Sequence, residues 1–405
     1  MGDFRVTRLG VTIVVFGLLA GFLGLVGGCA SIHEAGSEKP VVIRVASFNT
    51  SLSRTPEGKM LADFETGHDP AARRTAEILQ RLRPDVVLMN EFDWDAEGRG
   101  VELFKDLYLG VSQSEQTPID YPFVYQPDVN TGHLMDVDVN GDGRVALPAD
   151  AQGFGLFPGH FGFVVLSRYP IVKDEIRRFQ TLLWRDMPGA LLPDDEETTE
   201  PGDYYRGEVL DRLRLSSKNH VDVPVEVVGR RVHVLASHPT PPVFDGPEDR
   251  NGRRNHDEIR LWADYLDGAD YLIDDAGVAG GLAEGAHFVI VGDLNADPFD
   301  GDSIRGAPQQ LLEHPRVNGA VRPASRGGVA DAEAEGGANL THGGDPSLDT
   351  ADFGGPGNLR VDYVLPSTTL GVVRSGVVWP VAGDPLADLV ETSDHRAVWV
   401  DVVVE

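Results

Sequence analysis

A carboxylate and a carboxamide lie two residues apart after one strongly apolar run of this sequence. Phe288–Val291 is typical of a buried strand, which ends at Gly292. Asp293 and Asn295 follow it. Such groups are costly to bury without partners, so folding alone explains them poorly. They suit a catalytic edge, where the carboxylate takes a proton or holds a metal and the amide orients a phosphate or a water. Either residue taken alone could also form an ordinary Asx turn.

Polar side chains accompany four further apolar runs. Amide, carboxylate and imidazole groups stand at the edges of these runs, and they are Asn49, Glu91, His238, Asp362, Asp394 and His395. Oxygen ligands of this kind suit hard divalent cations, and imidazole changes charge near neutral pH. The pattern therefore predicts that several strand ends meet at one chemically active edge.

In this order along the chain, the segments resemble the endonuclease/exonuclease/phosphatase superfamily, which includes DNase I-like nucleases, sphingomyelinases and inositol-phosphate phosphatases. The resemblance extends from about Val41 to the C-terminus. It implies an α/β (α+β) fold, a four-layer sandwich in which two packed mixed sheets are flanked by helices. Periodicity alone indicates only a mixture of helices and strands. One departure from the family pattern is Asn90, because the family usually has Gln before this Glu.

The resemblance implies a hydrolase of phosphate esters that uses a divalent metal. Asn49, Glu91 and Asp394 are then the expected metal ligands, and hard oxygen ligands suit Mg²⁺ or Mn²⁺. Glu91 could instead be a surface carboxylate, and Asn49 could form a turn. Arg168 could reach a phosphate oxygen or could brace its own loop.

The remaining residues of the set have expected roles in the chemical step. Asp293 would orient or deprotonate the attacking water, while Asn295 and His238 would contact the phosphate. His395 would stabilise the charge that develops, and Asp362 would fix its tautomer. The alternative for the segment around His395 is a capped loop before an edge strand.

A separate acidic motif lies at residues 136–150. Its spacing matches the start of a calcium-binding loop at Asp138, Asn140 and Asp142. The closing acid is displaced by one position, because Ala149 occupies position 12 and Asp150 follows. A structural Ca²⁺ site and a plain acidic turn both stay open.

The N-terminus indicates export. Arg5 and Arg8 precede an apolar stretch from Leu9 to Val26, and Cys29 follows. This is typical of a bacterial lipoprotein signal in which Cys29 is lipidated, and the alternative is an uncleaved membrane anchor. Because Cys29 is the single cysteine, no disulfide can form within one chain.

These features predict how the chain is divided. Residues 1–28 would be a lipoprotein-type signal peptide, 29–40 a tether, and 41–405 one catalytic domain with loop insertions. The protein would act outside the cytoplasm, either attached to the membrane by its lipid anchor or secreted. The sequence makes no prediction of the oligomeric state.

The charge of the chain bears on its substrate. Lys and Arg total 35 against 64 Asp and Glu, which gives a formal charge of −29. Proteins that bind nucleic acid without sequence preference rely on a cationic surface, so this balance disfavours nucleic acid. It favours a phosphomonoester or a small phosphodiester. A secreted nuclease, a phospholipid-headgroup phosphodiesterase, and a surface binding protein without catalysis are the alternatives.

Periodicity and end signals predict the secondary structure. Helices are expected over 69–83 and 255–266, and loop-like insertions over 98–159, 184–221 and 239–254. Strands are expected at Val41–Phe48, Val86–Met89, Phe161–Ser167, Val172–Phe179, Val223–Val228, Val232–Ser237, Phe288–Val291, Val361–Leu365 and Ala397–Val404.

Overall fold

The structure, a computed structural model, describes residues 40–195 and 197–405. The predicted signal peptide and Cys29 lie outside these residues, as does the predicted tether up to residue 39. Across the two described ranges, no helix is both long enough and apolar enough to cross a membrane.

The strands are rich in Val and mostly buried. In chain order they are β1 (Val41–Asn49), β2 (Val86–Asn90), β3 (Phe123–Tyr125), β4 (Phe163–Ser167), β5 (Arg177–Arg178), β6 (His220–Val227), β7 (Arg230–Ser237), β8 (His287–Asp293), β9 (Ala351–Asp352), β10 (Asn358–Leu359), β11 (Asp362–Pro366), β12 (Gly371–Val377) and β13 (Val398–Val404).

The longer helices flank these strands. The α-helices are α1 (Lys59–Phe64), α2 (Pro70–Leu82), α3 (Arg99–Phe104), α4 (Gly207–Leu210), α5 (Arg250–Leu266), α6 (Gln309–Leu312) and α7 (Arg326–Glu335). A π-helical turn at Lys105–Leu109 continues α3. Short 3₁₀ turns lie at Lys173–Glu175, Trp184–Asp186, Gly337–Leu340, Pro346–Leu348 and Ala387–Thr392.

Two mixed sheets form the centre of the domain. One has the strand order β12-β13-β1-β2-β4-β3, and the other has the order β11-β8-β7-β6-β5. In the first sheet β1 runs parallel to β2 and antiparallel to β13. In the second, β8 runs parallel to β7 and antiparallel to β11. β9 and β10 form a separate small hairpin.

The apolar side chains divide the domain into four layers. One cluster lies between the sheets, where Val45 of β1 and Val234 of β7 belong to the same core. A second cluster joins α2 to the outer face of the first sheet, and a third joins α5, through Trp262, to the outer face of the second. The result is the four-layer α/β sandwich that the resemblance implied.

Helix α2 begins and ends close to its predicted limits. The side chain of Asp69 accepts a hydrogen bond from the N–H of Ala72 at 2.8 Å, and Pro70 occupies the first helical position. This is the capping arrangement expected from the sequence.

Several sequence-based expectations need correction. The strand predicted at Val172–Phe179 is mostly absent, because the charged Lys173–Glu175 forms a 3₁₀ turn and only the two residues of β5 pair with β6. Helix α5 begins at Arg250, five residues earlier than predicted. The insertion predicted over 98–159 contains α3 and the edge strand β3.

Candidate active site

Four of the predicted residues continue the inner face of a strand. Alternate side chains of a strand point to the same side, and Ile43 and Val45 face the core between the sheets, so Asn49 continues that face at the end of β1. The same alternation directs the side chains at three other strand ends, His238, Asp293 and Asp362. Strands of both sheets therefore deliver their terminal polar residues into the space between them.

The strand register brings these ends to one edge. Asp362 pairs directly with Asp293 across β11 and β8, and Asn49 pairs with Asn90, the residue before Glu91. Glu91 itself has φ of 55°, a left-handed conformation that ends the strand alternation.

A glycine allows the close approach of β8 and β7 at this edge. A Cβ atom on Gly292 would lie 2.3 Å from the carbonyl oxygen of Ser237. A larger residue at 292 would therefore push Asp293 away from the neighbouring His238.

The amide of Asn49 connects the carboxylates of the two sheets. Its Nδ2 donates to Glu91 Oε1 at 3.1 Å and to Asp293 Oδ2 at 3.0 Å, while its Oδ1 accepts a hydrogen bond from the N–H of Ser51. Asn49 thus presents its nitrogen to the acids and positions both of them. Its predicted role as a metal ligand, which needs the oxygen, stays a prediction.

Asp293 lies between two imidazoles. Its Oδ2 is 3.4 Å from His238 Nε2 and 3.7 Å from His395 Nε2, and its Oδ1 accepts the N–H of Asn295 at 2.9 Å. Burial favours a higher pKa for Asp293, but the charge of His395 and the hydrogen bond from His238 outweigh burial and lower it. Asp293 is therefore ionised at neutral pH. The side chain of Asn295 donates to the carbonyl oxygen of Pro239 at 3.1 Å.

His395 and Asp362 form a buried ion pair. His395 Nδ1 lies 2.8 Å from Asp362 Oδ2, and both residues are almost fully buried. Burial favours a lower pKa for His395, but the carboxylates of Asp362 and Asp293 outweigh burial and raise it. The imidazole is therefore cationic at neutral pH and places a positive charge next to Asp293.

Lys218 is a candidate site residue that the sequence analysis missed. Its side chain is 6% exposed, and Nζ contacts the carbonyl oxygen of Pro239 at 3.4 Å. Burial lowers the pKa of Lys218, while attraction to Glu258, Asp293 and Glu91 opposes that effect. The hairpin of β6 and β7 was a usable signal, because its antiparallel register, continued past His220, sets Lys218 opposite Pro239, the residue after His238.

The carboxylates of this edge fit a hard divalent cation. Glu91 Oε1 and Asp293 Oδ2 both lie within 3.1 Å of one amide nitrogen, so two negative charges are held close together. Asp394 is half-exposed, and its Oδ1 lies 4.0 Å from His395 Nε2. A cation bound by these oxygens would offset their repulsion. Asp293, Asp362 and His395 also form a close group of ligand atoms, but the ion pair already uses Nδ1 of His395.

The position of Arg168 favours the alternative that this residue braces its own loop. Arg168 follows Ser167, which pairs with Val86 at the start of β2, whereas Glu91 follows the other end of that strand. Arg168 instead forms an ion pair with Asp85, with 3.0 Å between Nη1 and Oδ1. Because β4 runs antiparallel to β2, the end of β4 lies at the opposite edge of the sheet.

The acids of residues 136–150 are occupied by backbone groups. Asp138 accepts the N–H groups of Gly141 and Gly143 at 2.7 and 2.9 Å. Both oxygens of the buried Asp150 accept backbone N–H groups, from Val139 at 2.6 Å and Ala146 at 2.8 Å. Asn140 and Asp142 likewise accept backbone N–H groups of the same loop. This arrangement fits the acidic-turn alternative, and a Ca²⁺ site at this loop stays a prediction.

Two packed mixed sheets with carboxylates, amides and imidazoles at one edge define the DNase I-like class. Residues 46–395 match the model of the endonuclease/exonuclease/phosphatase family. The chain therefore belongs to this family, whose members are in general metal-dependent hydrolases of phosphoesters.

Comparisons with individual proteins give more distant similarities. No curated protein sequence matches the chain. An endonuclease/exonuclease/phosphatase from Beutenbergia cavernae DSM 12333 is 20% identical, with 89% of this chain and 71% of that chain covered and a TM-score of 0.47. A family protein from Bacteroides thetaiotaomicron is 11% identical, with coverages of 91% and 100% and a TM-score of 0.46. Sphingomyelinase C from Streptomyces griseocarneus is 17% identical, with coverages of 89% and 99% and a TM-score of 0.44.

Proposed function

We propose that the protein hydrolyses small phosphate esters outside the cytoplasm with the help of a divalent metal. The observation that carries the proposal is the position of Asp293, an ionised buried carboxylate held between two imidazoles and tied through Asn49 to Glu91. A carboxylate with a purely structural role needs only hydrogen-bond partners. Asp293 is in addition surrounded by groups that lower its pKa and keep it ionised.

The metal would be held by Glu91 and Asp394, with the oxygen of Asn49 as a further candidate. When bound, it would supply a positive charge for a phosphoryl oxygen and lower the pKa of a bound water. Mg²⁺ and Mn²⁺ suit this oxygen donor set.

The protein side chains would act around the reacting phosphorus. Asp293 would accept a proton from the attacking water or hold that water in line. The cationic His395, supported by Asp362, would stabilise negative charge on the phosphoryl oxygens as it develops. Burial lowers the pKa of His238, and the charge of Lys218 lowers it further, so a neutral His238 would donate a hydrogen bond without adding charge.

The preference for a small ester rests on charge. The formal charge of −29 would repel a polyanion at long range, while a small ester meets only the local field of the site. The location outside the cytoplasm rests on the N-terminal sequence, in which Cys29 follows an apolar stretch. Loss of the protein from the membrane fraction in Cys29→Ala would support lipid attachment, and unchanged fractionation would contradict it.

The function is tested by hydrolysis of a chromogenic phosphomonoester and its diester analogue by the full-length chain. Reactions would contain EDTA, Mg²⁺ or Mn²⁺, and would include Asp293→Asn beside Asp302→Asn, which removes an exposed acid of the same loop. We expect metal-dependent turnover that Asp293→Asn lowers about 10³-fold and Asp302→Asn leaves unchanged. Turnover that survives EDTA, or that Asp293→Asn retains, would contradict the mechanism. Absence of turnover on both esters, plasmid DNA and phospholipid would favour a binding protein.

A further inference from the structure

Lys218 and His238 are carried by two backbone segments that lie just beyond the ladder of β6 and β7. The last pair of that ladder is His220 with Ser237. Beyond this pair neither segment belongs to a strand, so β6 and β7 no longer supply hydrogen-bond partners for each other's backbone N–H groups. These segments nevertheless place both side chains close to Asp293, whose Oδ2 lies 3.4 Å from His238 Nε2.

The side chain of Glu258 on helix α5 supplies partners for both segments. Its Oε1 accepts the N–H of Ser217 at 2.6 Å, and its Oε2 accepts the N–H of Thr240 at 2.6 Å. The register of β6 and β7, continued past its last pair, sets Ser217 opposite Thr240, so one carboxylate joins the two segments. The carbonyl oxygen of Glu258 also accepts a hydrogen bond from His220 Nε2 at 2.8 Å. Because hydrogen bonds to a carboxylate are short and strong, one buried residue of α5 holds both segments in place.

The charge of Glu258 also acts on Lys218. Burial lowers the pKa of Lys218, and attraction to Glu258 is the largest of the effects that oppose burial. Among the described residues, Lys218 Nζ has one hydrogen bond, to the carbonyl oxygen of Pro239 at 3.4 Å. An ammonium group has three N–H donors. Glu258 therefore favours the cationic form of Lys218, whose other two donors remain for a phosphoryl oxygen.

The neighbouring acid of α5 contacts a different part of the molecule. Asp257 is as fully buried as Glu258. Its Oδ2 accepts hydrogen bonds from Trp184 Nε1 at 2.7 Å and from the N–H of Leu191 at 2.6 Å. The segment between these two residues carries none of the proposed catalytic residues. Two adjacent buried acids therefore hold different parts of the chain, and of the two only Glu258 holds segments of the active site.

We propose that Glu258 is a positioning residue of the active site, which holds Lys218 and His238 in the geometry that the reaction needs. This role rests on the proposed function and involves no contact between Glu258 and the substrate. In that function Lys218 would bind one phosphoryl oxygen and His238 would donate a hydrogen bond to another. Because a displacement of about 1 Å can lower a rate about 10²-fold, both groups depend on a rigid support.

Kinetics of the full-length chain, on whichever of the two chromogenic esters it hydrolyses, test this role. Glu258→Gln keeps the shape of the side chain but has one oxygen where two N–H groups need acceptors, so we expect kcat to fall about 10²-fold. Asp257→Asn makes the matching acid-to-amide change at the neighbouring residue and should leave kcat unchanged. Because Glu258 acts in part through Lys218, the double variant Glu258→Gln/Lys218→Met should be about as active as Glu258→Gln alone.

Hydrogen–deuterium exchange, measured by mass spectrometry, tests the geometry without turnover. Peptides that contain residues 215–220 and 238–242 should exchange faster in Glu258→Gln than in the wild type, because their backbone N–H groups lose an acceptor. The same peptides of Asp257→Asn should exchange at the wild-type rate.

The outcomes separate the role of Glu258 from the proposed function. A folded Glu258→Gln with the kcat and the exchange of an active wild type would overturn the positioning role, and so would a double variant that shows the full product of the two losses. A wild type that hydrolyses no ester would overturn the proposed function instead. If circular dichroism shows that Glu258→Gln is unfolded, Glu258→Asp takes its place. It keeps the charge but is one methylene too short to reach both N–H groups, so its kcat should fall as well.

Discussion

The carboxylates of the catalytic edge and those of the acidic loop at 136–150 are satisfied in opposite ways. Asp293 faces side chains from three distant segments, Asn49, His238 and His395. Asp138 accepts N–H groups from residues three to five positions later in its own loop. A local motif can neutralise its acids with its own backbone, whereas an acid whose partners come from both sheets is held where other functional groups meet. The two regions therefore differ less in how many acids they contain than in whether the partners of those acids come from distant segments or from the same loop.

The comparison is tested most severely at Asp293. Asp293→Asn keeps the shape of the side chain and removes the base, so we expect kcat to fall about 10³-fold, within the range of general-base effects. Steady-state kinetics would measure the fall, and thermal unfolding would check that stability changes little. An equal loss of stability and activity would show that Asp293 is structural.

The second prediction concerns the ion pair behind Asp293. Asp362→Asn removes the charge that raises the pKa of His395, so this pKa should fall and the imidazole should lose its proton at lower pH. We expect kcat to fall about 10²-fold at neutral pH and the basic limb of its pH profile to move to lower pH. A uniform fall with an unshifted profile would mean that Asp362 does not control the charge of His395.

A third prediction uses a buried acid that belongs to neither region. Asp349 is 7% exposed, and burial together with Asp297, Asp300 and Asp345 raises its pKa to about 8. The unfolded chain ionises this group near pH 4, so its burial costs stability increasingly as pH rises from 4 to 8. Asp349→Asn removes that cost. It should therefore stabilise the protein by about 2 kcal/mol at pH 8 after allowance for solvent screening, and by little at pH 4.

Urea unfolding of the wild type and Asp349→Asn at both pH values would measure this difference. Asp302→Asn, which removes an exposed acid that does not contribute to the raised pKa of Asp349, serves as the control. A stabilisation that does not depend on pH would contradict the raised pKa.

Substitution of Lys218 is expected to have a smaller effect on catalysis. Lys218→Met removes a positive charge from beside Glu91 and Asp293, and we expect kcat/KM to fall about tenfold. Because burial and then the charge of Lys218 lower the pKa of His238, that pKa should rise in the variant and move the acid limb of activity to higher pH. An unchanged profile with reduced stability would assign Lys218 a packing role only.

Much of the fold followed from local patterns in the sequence. The Val-rich runs predicted most central strands to within a few residues, since a strand buried on both faces needs apolar side chains throughout. β12 was missed because Gly371, Ser375 and Gly376 interrupt its pattern, and its pairing with β13 decides its conformation. The early start of α5 was missed because Arg250–Arg254 is charged and carries no apolar periodicity.

The candidate site was predictable where its residues end apolar strands. Asn49, His238 and Asp293 carry that signal, and the strand register brings their segments together. Arg168 carries the same local signal and lies at the wrong edge, because strand direction in the sheet is a long-range property. Lys218 lacked a motif of its own and enters the site only through the pairing of β6 with β7.

The smallest expected effect on activity and stability is that of substitutions in the acidic loop at 136–150. In the double variant Asp138→Asn/Asp142→Asn each new amide keeps one oxygen that can accept a loop N–H group, from Gly141 at position 138 and from Arg144 at position 142. We therefore expect unchanged activity and an unchanged response of the melting temperature to Ca²⁺. The hydrogen bond from the Gly143 N–H lowers the pKa of Asp138, so the lost charge is one that the backbone already stabilises. If Ca²⁺ raised the melting temperature of the wild type and these substitutions abolished that rise, the loop would be a calcium site. Local backbone partners would then be no evidence against metal binding, and the distinction between the two regions would fail.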